Sequence, residues 1–175
     1  MLFVLTGPES AGKSTLTQAL AEHFAAPWVT EFARQYLHDQ LQASANYQPS
    51  DLLHIAAQQQ LAEGTLQGKA PFKFADTDLQ VIYIWWQERF GPVPRVLSQA
   101  YARQSPRHYL LCEPDVAWAP DPLRENATDR ARLFQGYEAD LQRRGLAYSI
   151  VRGDGQARLD YALEAVLNVS AASST

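Results

Sequence analysis

The sequence predicts a three-layer α/β fold, in which a five-stranded, mostly parallel sheet carries helices on both faces. Short apolar runs typical of buried strands alternate with longer segments of helical periodicity, and this alternation favours parallel strands joined by crossover helices. A glycine-rich segment that follows the first apolar run directly is the second observation, because it joins a predicted strand to a predicted helix. The strand-like runs are Leu2–Leu5, Trp28–Val29, Phe72–Ala75, Tyr109–Cys112 and Tyr148–Val151.

Helices are predicted between these runs. Candidate N-caps are Ser50, for a helix to about Leu66, and Thr128 or Asp129 for a later one. Gly91, followed by proline, ends the helix that carries Trp85. A last helix follows Gly155.

Length and composition fit one globular domain. The chain has 175 residues, of which 46% are apolar and 19% charged, so it can bury a substantial core. We expect one domain over residues 1–169 and a frayed Ser/Ala-rich tail over 170–175. Residues 113–130 hold three prolines and several charges without a clean period, which indicates a mobile lid at about this place.

Charge and composition also exclude classes of protein. A net charge of −4 with 15 basic residues offers no general surface for polyanions, so a nucleic-acid partner is disfavoured. The apolar runs are all much shorter than the roughly 20 residues of a membrane span, and the N-terminus lacks the pattern of a signal peptide. Because Cys112 is the only cysteine, we expect a reducing compartment, the cytoplasm. The oligomeric state is left open.

The glycine-rich segment at residues 7–14 fits G-x-x-x-x-G-K-[ST], the phosphate-binding loop, or P-loop. A protein of net negative charge can bind a triphosphate only with concentrated local donors, and backbone N–H groups that curl into a helix N-terminus supply them. Lys13 would reach the β- and γ-phosphates, and the Ser14 hydroxyl would coordinate Mg²⁺. The sequence therefore predicts a P-loop NTPase fold with ATP and Mg²⁺ as cofactors. The predicted nucleotide-binding residues are Gly7, Glu9, Ser10, Ala11, Gly12, Lys13, Ser14 and Thr15.

Carboxylates follow two of the predicted strands. Asp76 and Asp78 come at the end of an apolar run, where a neighbouring strand would present them beside the P-loop. We assign Asp76 to the metal; the alternative is an ordinary turn or capping aspartate. Asp78, two residues further on, would point to the same face of the sheet as Asp76 only if the strand continued that far. Either Asp78 or Glu31, which follows the second strand, would orient the acceptor hydroxyl.

Basic and aromatic side chains complete the candidate site. Arg34, on the helix after Glu31, would hold acceptor or phosphate oxygens, although an i,i+3 Glu–Arg pair on a solvated helix is the alternative. Arg124 and Arg130 in the lid would stabilise the transferred phosphoryl group, with a solvated charged loop as the alternative. Trp85 is assigned to the substrate, although helix tryptophans more often lie in a core.

These motifs together resemble the ribosylnicotinamide kinase domain of NadR-type NAD-salvage proteins, within the P-loop nucleoside and nucleotide kinases. The likeness extends from Leu2 to about Val166. The stretches that carry it are "GPESAGKST", "EFARQYL", "DLLHIAAQQ", "DTD" followed by Trp85, and "PDVAWAPDPLRE" followed by Arg130.

The resemblance implies transfer of the ATP γ-phosphoryl group to the 5′-hydroxyl of N-ribosylnicotinamide. Thr30 stands where the family carries an aromatic residue that stacks on the nicotinamide ring, and Trp28 on the same face is expected to replace it. The predicted catalytic residues are Lys13, Glu31, Asp78, Arg124 and Arg130. The predicted substrate residues are Trp28, Arg34, Tyr36, Asp78, Trp85 and Asp121, and the predicted metal ligands are Ser14 and Asp76.

Two alternatives remain at this point. One is a kinase for another nucleoside or for a nucleoside monophosphate, which would use the same P-loop with a different acceptor. The other is a regulatory module that binds ATP or GTP and has no acceptor at all. Acceptor-dependent turnover separates the second alternative from the kinases, and a panel of nucleosides separates the kinases from each other.

Overall fold

A computed structural model describes residues 1–41, 47–66, 70–119 and 128–172, and it contains five strands and seven helices over these ranges. The strands are β1 (Leu2–Thr6), β2 (Trp28–Val29), β3 (Lys73–Asp76), β4 (His108–Cys112) and β5 (Tyr148–Val151). The helices are α1 (Lys13–His23), α2 (Phe32–Leu41), α3 (Pro49–Gly64), α4 (Leu79–Phe90), α5 (Arg95–Ala102), α6 (Arg130–Arg144) and α7 (Gly155–Ala172).

The five strands form one sheet in the order β2-β3-β1-β4-β5, and all four pairings are parallel. Because β1 lies at the centre, the loop that leaves its carboxyl end faces the ends of β3 and β4 on either side. In sheets of this kind, ligands bind outside the carboxyl ends of the strands. The predicted α/β fold is confirmed, and the P-loop lies at that edge.

Alternation along β1 assigns helices to the two faces of the sheet. Phe3 and Leu5 are fully buried against α1 and α7, whereas Val4 is buried on the opposite face, among side chains of α4 and α6. A further buried cluster joins α2, α3, α4 and α5 on the α4 side. The molecule thus has the three layers that the sequence predicts.

The structure differs from the sequence-based elements in three places. The helix predicted from Ser50 begins at Pro49, because the Asp51 carboxylate accepts the backbone N–H of Gln48 at 2.6 Å and closes the first turn there. Helix α5 was not predicted, since only eight residues follow Pro94 before the next turn. Helix α7 continues to Ala172, so residues 170–172 are helical where a frayed tail was expected.

Within the described ranges, none of the helices combines the length and apolar character that crossing a bilayer demands.

Candidate active site

The P-loop follows β1 and turns sharply into α1. Gly7, Ser10 and Gly12 have positive φ angles of 128°, 52° and 69°. A side chain at Gly7 would collide with β4, because a Cβ placed there would lie 2.7 Å from the Cys112 carbonyl oxygen. Gly12 is the N-cap of α1 and has no side chain to cap the helix, so the first-turn N–H groups are available to an anionic ligand.

Lys13 is the first residue of α1 and bends back over the P-loop. Its ammonium group donates hydrogen bonds to the carbonyl oxygens of Gly7 at 3.0 Å and Pro8 at 2.8 Å. Both acceptors are neutral backbone groups, and hydrogen bonds from a cation to an anion are stronger than these. The ammonium group is therefore placed where a bound phosphate oxygen would compete successfully for it.

Asp76 lies beside the P-loop at the carboxyl end of β3. Its side chain is 2% exposed, and its Oδ1 atom has no hydrogen-bond partner in the described part of the chain. Burial raises the pKa of the Asp76 carboxyl, while the Ser14 hydroxyl, Lys13 and Arg34 oppose that shift. The structure thus brings Ser14 and Asp76 together, and it leaves a buried carboxylate oxygen without a donor.

Glu31 faces the same space from the end of β2. Burial and the nearby Asp76 carboxylate raise the pKa of Glu31 to about 6, and Lys13 and Arg34 act in the opposite direction. A carboxylate whose pKa lies closer to neutrality than usual is suited to accepting a proton.

One cavity of about 230 Å³ joins the P-loop to Glu31 and Arg34. Its far wall is largely apolar and is built by three helices on the same side of the sheet. The wall residues are Ala33 and Leu37 of α2, Val81, Ile84, Trp85 and Glu88 of α4, and Leu133 and Tyr137 of α6. Trp85 therefore lines the cavity, and its indole N–H donates to the Tyr47 hydroxyl at 2.8 Å.

Asp78 does not reach this cavity, which corrects the prediction for that residue. Thr77 has a left-handed φ of 68°, so the strand alternation stops at Asp76. The Asp78 carboxylate is fully buried and caps α4 by accepting the Gln80 N–H at 2.8 Å. It also accepts hydrogen bonds from Tyr109 at 2.7 Å and Arg107 at 3.1 Å. We therefore assign Asp78 a structural role.

Trp28 and Tyr36 also lie outside the cavity. Trp28 packs against the core on the α1 and α7 face of the sheet, whereas the cavity lies on the α4 and α6 face. Tyr36 turns toward α3, where its hydroxyl donates to Asp51 at 2.8 Å and its ring stacks on Phe32. The sequence did not show which way these rings would face, because Trp28 lies in a strand of only two residues and Tyr36 lies near the start of a helix.

Arg130, the first residue of α6, contacts the P-loop. Its guanidinium donates to the Ser10 carbonyl at 3.1 Å and the Val116 carbonyl at 3.0 Å. It also lies 5.6 Å from the centre of the Trp118 ring. Arg130 thus links the P-loop to the segment after β4. The predicted residues Asp121 and Arg124 lie outside the described residues.

Arg158 of α7 is a site residue that the sequence analysis missed. It is 4% exposed, and its guanidinium donates to the carbonyl oxygens of Ala11 at 2.7 Å, Glu113 at 3.0 Å and Gly153 at 2.8 Å. It also pairs with Asp115 at 2.7 Å. Arg158 therefore holds the P-loop against the loops that follow β4 and β5. No sequence pattern marks this arginine, because its backbone partners at Ala11 and Glu113 are remote in the chain.

Replacing Arg158 with leucine is expected to lower the free energy of unfolding by about 3 kcal/mol, since three carbonyls and a carboxylate lose one buried cation. Urea denaturation measures this change. Arg152→Leu is the control: its ion pair with Glu113 at 2.8 Å is more than half exposed at the arginine, and we expect a loss below about 1 kcal/mol. Equal losses in the free energy of unfolding in the two variants would contradict the role of Arg158 in holding the P-loop.

Glu63 gives the protein a pH-dependent stability. Burial raises the pKa of Glu63 to about 7 from its ordinary value of 4.5, although Arg107 at 2.8 Å opposes the shift. Between about pH 4.5 and about pH 7, the Glu63 carboxyl therefore keeps its proton in the folded state and loses it in the unfolded chain. This contribution to stability is complete below about pH 4.5 and is lost as the pH rises through about 7.

Replacing Glu63 with glutamine is expected to flatten the fall in the free energy of unfolding between about pH 5 and about pH 8. Urea denaturation at several pH values measures the slope. Glu22→Gln changes an exposed glutamate of α1 and should leave the wild-type slope unchanged. An unaltered slope in Glu63→Gln would show that this carboxyl does not hold the proton.

The sheet order together with a phosphate-binding loop between β1 and α1 defines a P-loop nucleotide-binding fold. A family model described as an AAA domain matches residues 2–158. The chain therefore belongs to this family of AAA domains. No curated protein matches the sequence.

Several solved structures share this fold. The NadR protein in complex with NR has a TM-score of 0.78 and 20% identity, over 97% of this chain and 51% of that one. NadR with NAD and AMP-PNP has a TM-score of 0.73 and 18% identity, over 97% and 49%. A thymidylate kinase from Ehrlichia chaffeensis has a TM-score of 0.65 and 12% identity, over 97% and 98%. The chain spans about half the length of the NadR chains, and the TM-scores show that they share its fold.

Proposed function

We propose that the protein is an ATP-dependent kinase that phosphorylates the 5′-hydroxyl of N-ribosylnicotinamide and yields nicotinamide mononucleotide and ADP. The observation that carries this proposal is the cavity in which the P-loop, Glu31 and a largely apolar wall meet. A phosphoryl donor at the P-loop and a nucleoside against the wall would place the acceptor hydroxyl near Glu31. The structures of NadR with NR and with AMP-PNP, which share the fold, support this choice.

The P-loop would bind the triphosphate of ATP. Backbone N–H groups at the start of α1 would receive the phosphate oxygens, and Lys13 would exchange its carbonyl partners for them. Arg130 already contacts the P-loop through the Ser10 carbonyl. We propose that Arg130 and Arg124 stabilise the negative charge that develops on the transferred phosphoryl group.

Ser14 and Asp76 are the residues that would hold Mg²⁺. The buried Asp76 Oδ1 atom that lacks a donor, beside the Ser14 hydroxyl, fits a hard cation that prefers oxygen ligands. Among the described residues, no three carboxylate, histidine or cysteine side chains are grouped so that they could hold a metal ion. Phosphate oxygens and water would therefore complete the coordination shell, as is usual for Mg²⁺. When bound, the ion neutralises charge on the phosphate oxygens.

Glu31 would accept the proton of the acceptor hydroxyl. The acceptor oxygen forms a bond to the γ-phosphorus, the bond from that phosphorus to the bridging oxygen breaks, and the electron pair leaves with ADP. The proton passes to the Glu31 carboxylate, whose raised pKa suits this step. Arg34, on the first turn of α2, would hold oxygens of the acceptor or of the phosphate.

Another nucleoside remains the second candidate acceptor, and one observation favours it. The ring that was expected to stack on nicotinamide, Trp28, lies on the opposite face of the sheet. The aromatic side chains that do line the cavity are Trp85 and Tyr137, and neither selects nicotinamide over other bases by its chemistry. We place the reaction in the cytoplasm, where a buried free thiol such as Cys112 stays reduced.

A panel of acceptors tests the proposal. ADP release is measured with Mg-ATP and ribosylnicotinamide, thymidine, cytidine, a nucleoside monophosphate or no acceptor. Stimulation by ribosylnicotinamide above all others is the expected result. Stimulation by thymidine or cytidine alone would assign the protein to the second candidate. Nucleotide binding without any acceptor-dependent release would indicate a regulatory module instead.

A further inference from the structure

Gln59 of α3 is a buried amide, 1% exposed, in contact with two separate backbone segments. Its Oε1 atom accepts the Phe32 N–H at 2.9 Å. Its Nε2 atom lies 3.4 Å from the carbonyl oxygen of Thr30, 3.5 Å from that of Asp76 and 3.3 Å from that of Thr77. One side chain therefore contacts the ends of both β2 and β3.

The first of these segments carries Glu31. Gln59 contacts the residues on both sides of that glutamate, the carbonyl of Thr30 and the N–H of Phe32. Phe32 is the first residue of α2, and the N–H groups of a first helical turn have no partner inside the helix. Gln59 supplies this acceptor from another helix, so it fixes where α2 begins and how Glu31 leaves the strand.

The second segment carries Asp76. The backbone ladder between β2 and β3 consists of Trp28 opposite Phe74 and Val29 opposite Ala75, and it extends no further. Asp76 comes directly after the last paired residue of β3 in this ladder, and Glu31 comes two residues after the last paired residue of β2. Beyond that point, the amide of Gln59 joins the two strands where backbone hydrogen bonds have ended.

We propose that Gln59 is a positioning residue that sets the spacing between the Glu31 and Asp76 side chains. This inference rests on the proposed function, in which Glu31 faces the acceptor hydroxyl and Asp76 faces the metal-bound end of the nucleotide. Gln59 itself is absent from the cavity wall, so it acts only through the backbone of these two segments. A misplacement of about 1 Å in such a site can lower the rate about 100-fold.

The test compares Gln59→Met with Gln60→Met. Methionine keeps the length and unbranched shape of glutamine but removes its hydrogen bonds, and Gln60 is the next residue on the same helix and is exposed. We expect Gln59→Met to lower kcat between about 10-fold and about 100-fold and to raise the KM for ATP by a much smaller factor, because no P-loop residue contacts Gln59. Gln60→Met should behave as the wild type.

A destabilised control separates positioning from stability. Ile55→Val removes one methylene from the buried face of α3 and should lower Tm without lowering kcat. If Gln59→Met and Ile55→Val lose kcat in the same proportion to their loss in Tm, or if Gln59→Met keeps its full kcat, the inference is wrong. A fall in kcat and a rise in the KM for ATP by the same factor would also contradict it.

A measurement without turnover keeps this result distinct from a failure of the proposed function. Calorimetry with AMP-PNP gives the ratio of the Kd values without and with Mg²⁺. We expect this ratio to be smaller in Gln59→Met than in the wild type or Gln60→Met, because Asp76 is displaced. An unchanged ratio would overturn the positioning role even if no acceptor is phosphorylated. A wild type without acceptor-dependent turnover would overturn the kinase proposal alone.

Discussion

Replacing Lys13 with alanine is expected to abolish acceptor-dependent ADP release while the fold stays intact. The Lys13 ammonium is the cation of the P-loop and donates hydrogen bonds to the carbonyl oxygens of Gly7 and Pro8. Its loss would remove a positive charge from the position of the β- and γ-phosphates, and we expect kcat/KM to fall on the order of 1,000-fold. Steady-state ADP release and thermal denaturation measure the two effects.

Lys73→Ala is the matched control for this variant. Lys73 begins β3, and its ammonium group also donates to a backbone carbonyl, that of Leu66 at 2.6 Å. It lies at the amino end of its strand, away from the P-loop, so its removal should leave kcat/KM within about threefold of the wild type. Full activity in Lys13→Ala, or equal losses in both variants, would remove Lys13 from the proposed mechanism.

Replacing Asp76 with asparagine is expected to lower kcat by a factor on the order of 100 to 1,000 without lowering Tm. Asparagine keeps the shape of the side chain but is a poorer ligand for Mg²⁺. Because burial raises the pKa of Asp76, the charged carboxylate is disfavoured in the folded protein, and a neutral amide removes that cost. ADP release over a Mg²⁺ titration, together with Tm, measures the separation of activity from stability.

Asp78→Asn provides the contrasting result two residues further on. Asp78 accepts hydrogen bonds from Arg107, Tyr109 and the Gln80 N–H, and an amide would leave the buried Arg107 with a weaker partner. We expect Tm to fall by about 5 °C or more, while the Mg²⁺ dependence of ADP release remains that of the wild type. A loss of Mg²⁺ dependence in Asp78→Asn would return this residue to the catalytic set.

The sequence predicted those parts of the molecule that depend on local patterns. The spacing of Gly7, Gly12 and Lys13, placed between a strand run and a helical run, defined the P-loop without knowledge of any remote contact. Parallel pairing then placed the ends of β2 and β3 side by side, which is why Glu31 and Asp76 meet. The bounds of all five strands were right to within one residue at each end, because each strand is a short apolar run in the sequence.

Tertiary contacts decided the rest. Thr77 adopts a left-handed conformation that a β-branched residue rarely adopts, so alternation could not reveal that Asp78 turns away. Tyr36 faces α3 because Asp51 offers it a hydrogen bond across the helix pair. Arg158 and Gln59 bind backbone groups. Almost every residue carries the same backbone groups, so such contacts leave no motif in the sequence.

The part of the cavity that would bind phosphate and the part that would bind the acceptor come from different elements of the fold, which bears on how acceptor specificity could change. The P-loop, Glu31 and Asp76 are anchored to strand ends, whereas the wall that would meet the acceptor comes from the helices α2, α4 and α6. Exchanges such as Ile84 or Leu133 for larger or polar side chains would reshape the wall without moving a strand. A lineage with this scaffold can therefore diversify its acceptors by drift at a few helix positions while its phosphate chemistry is inherited unchanged.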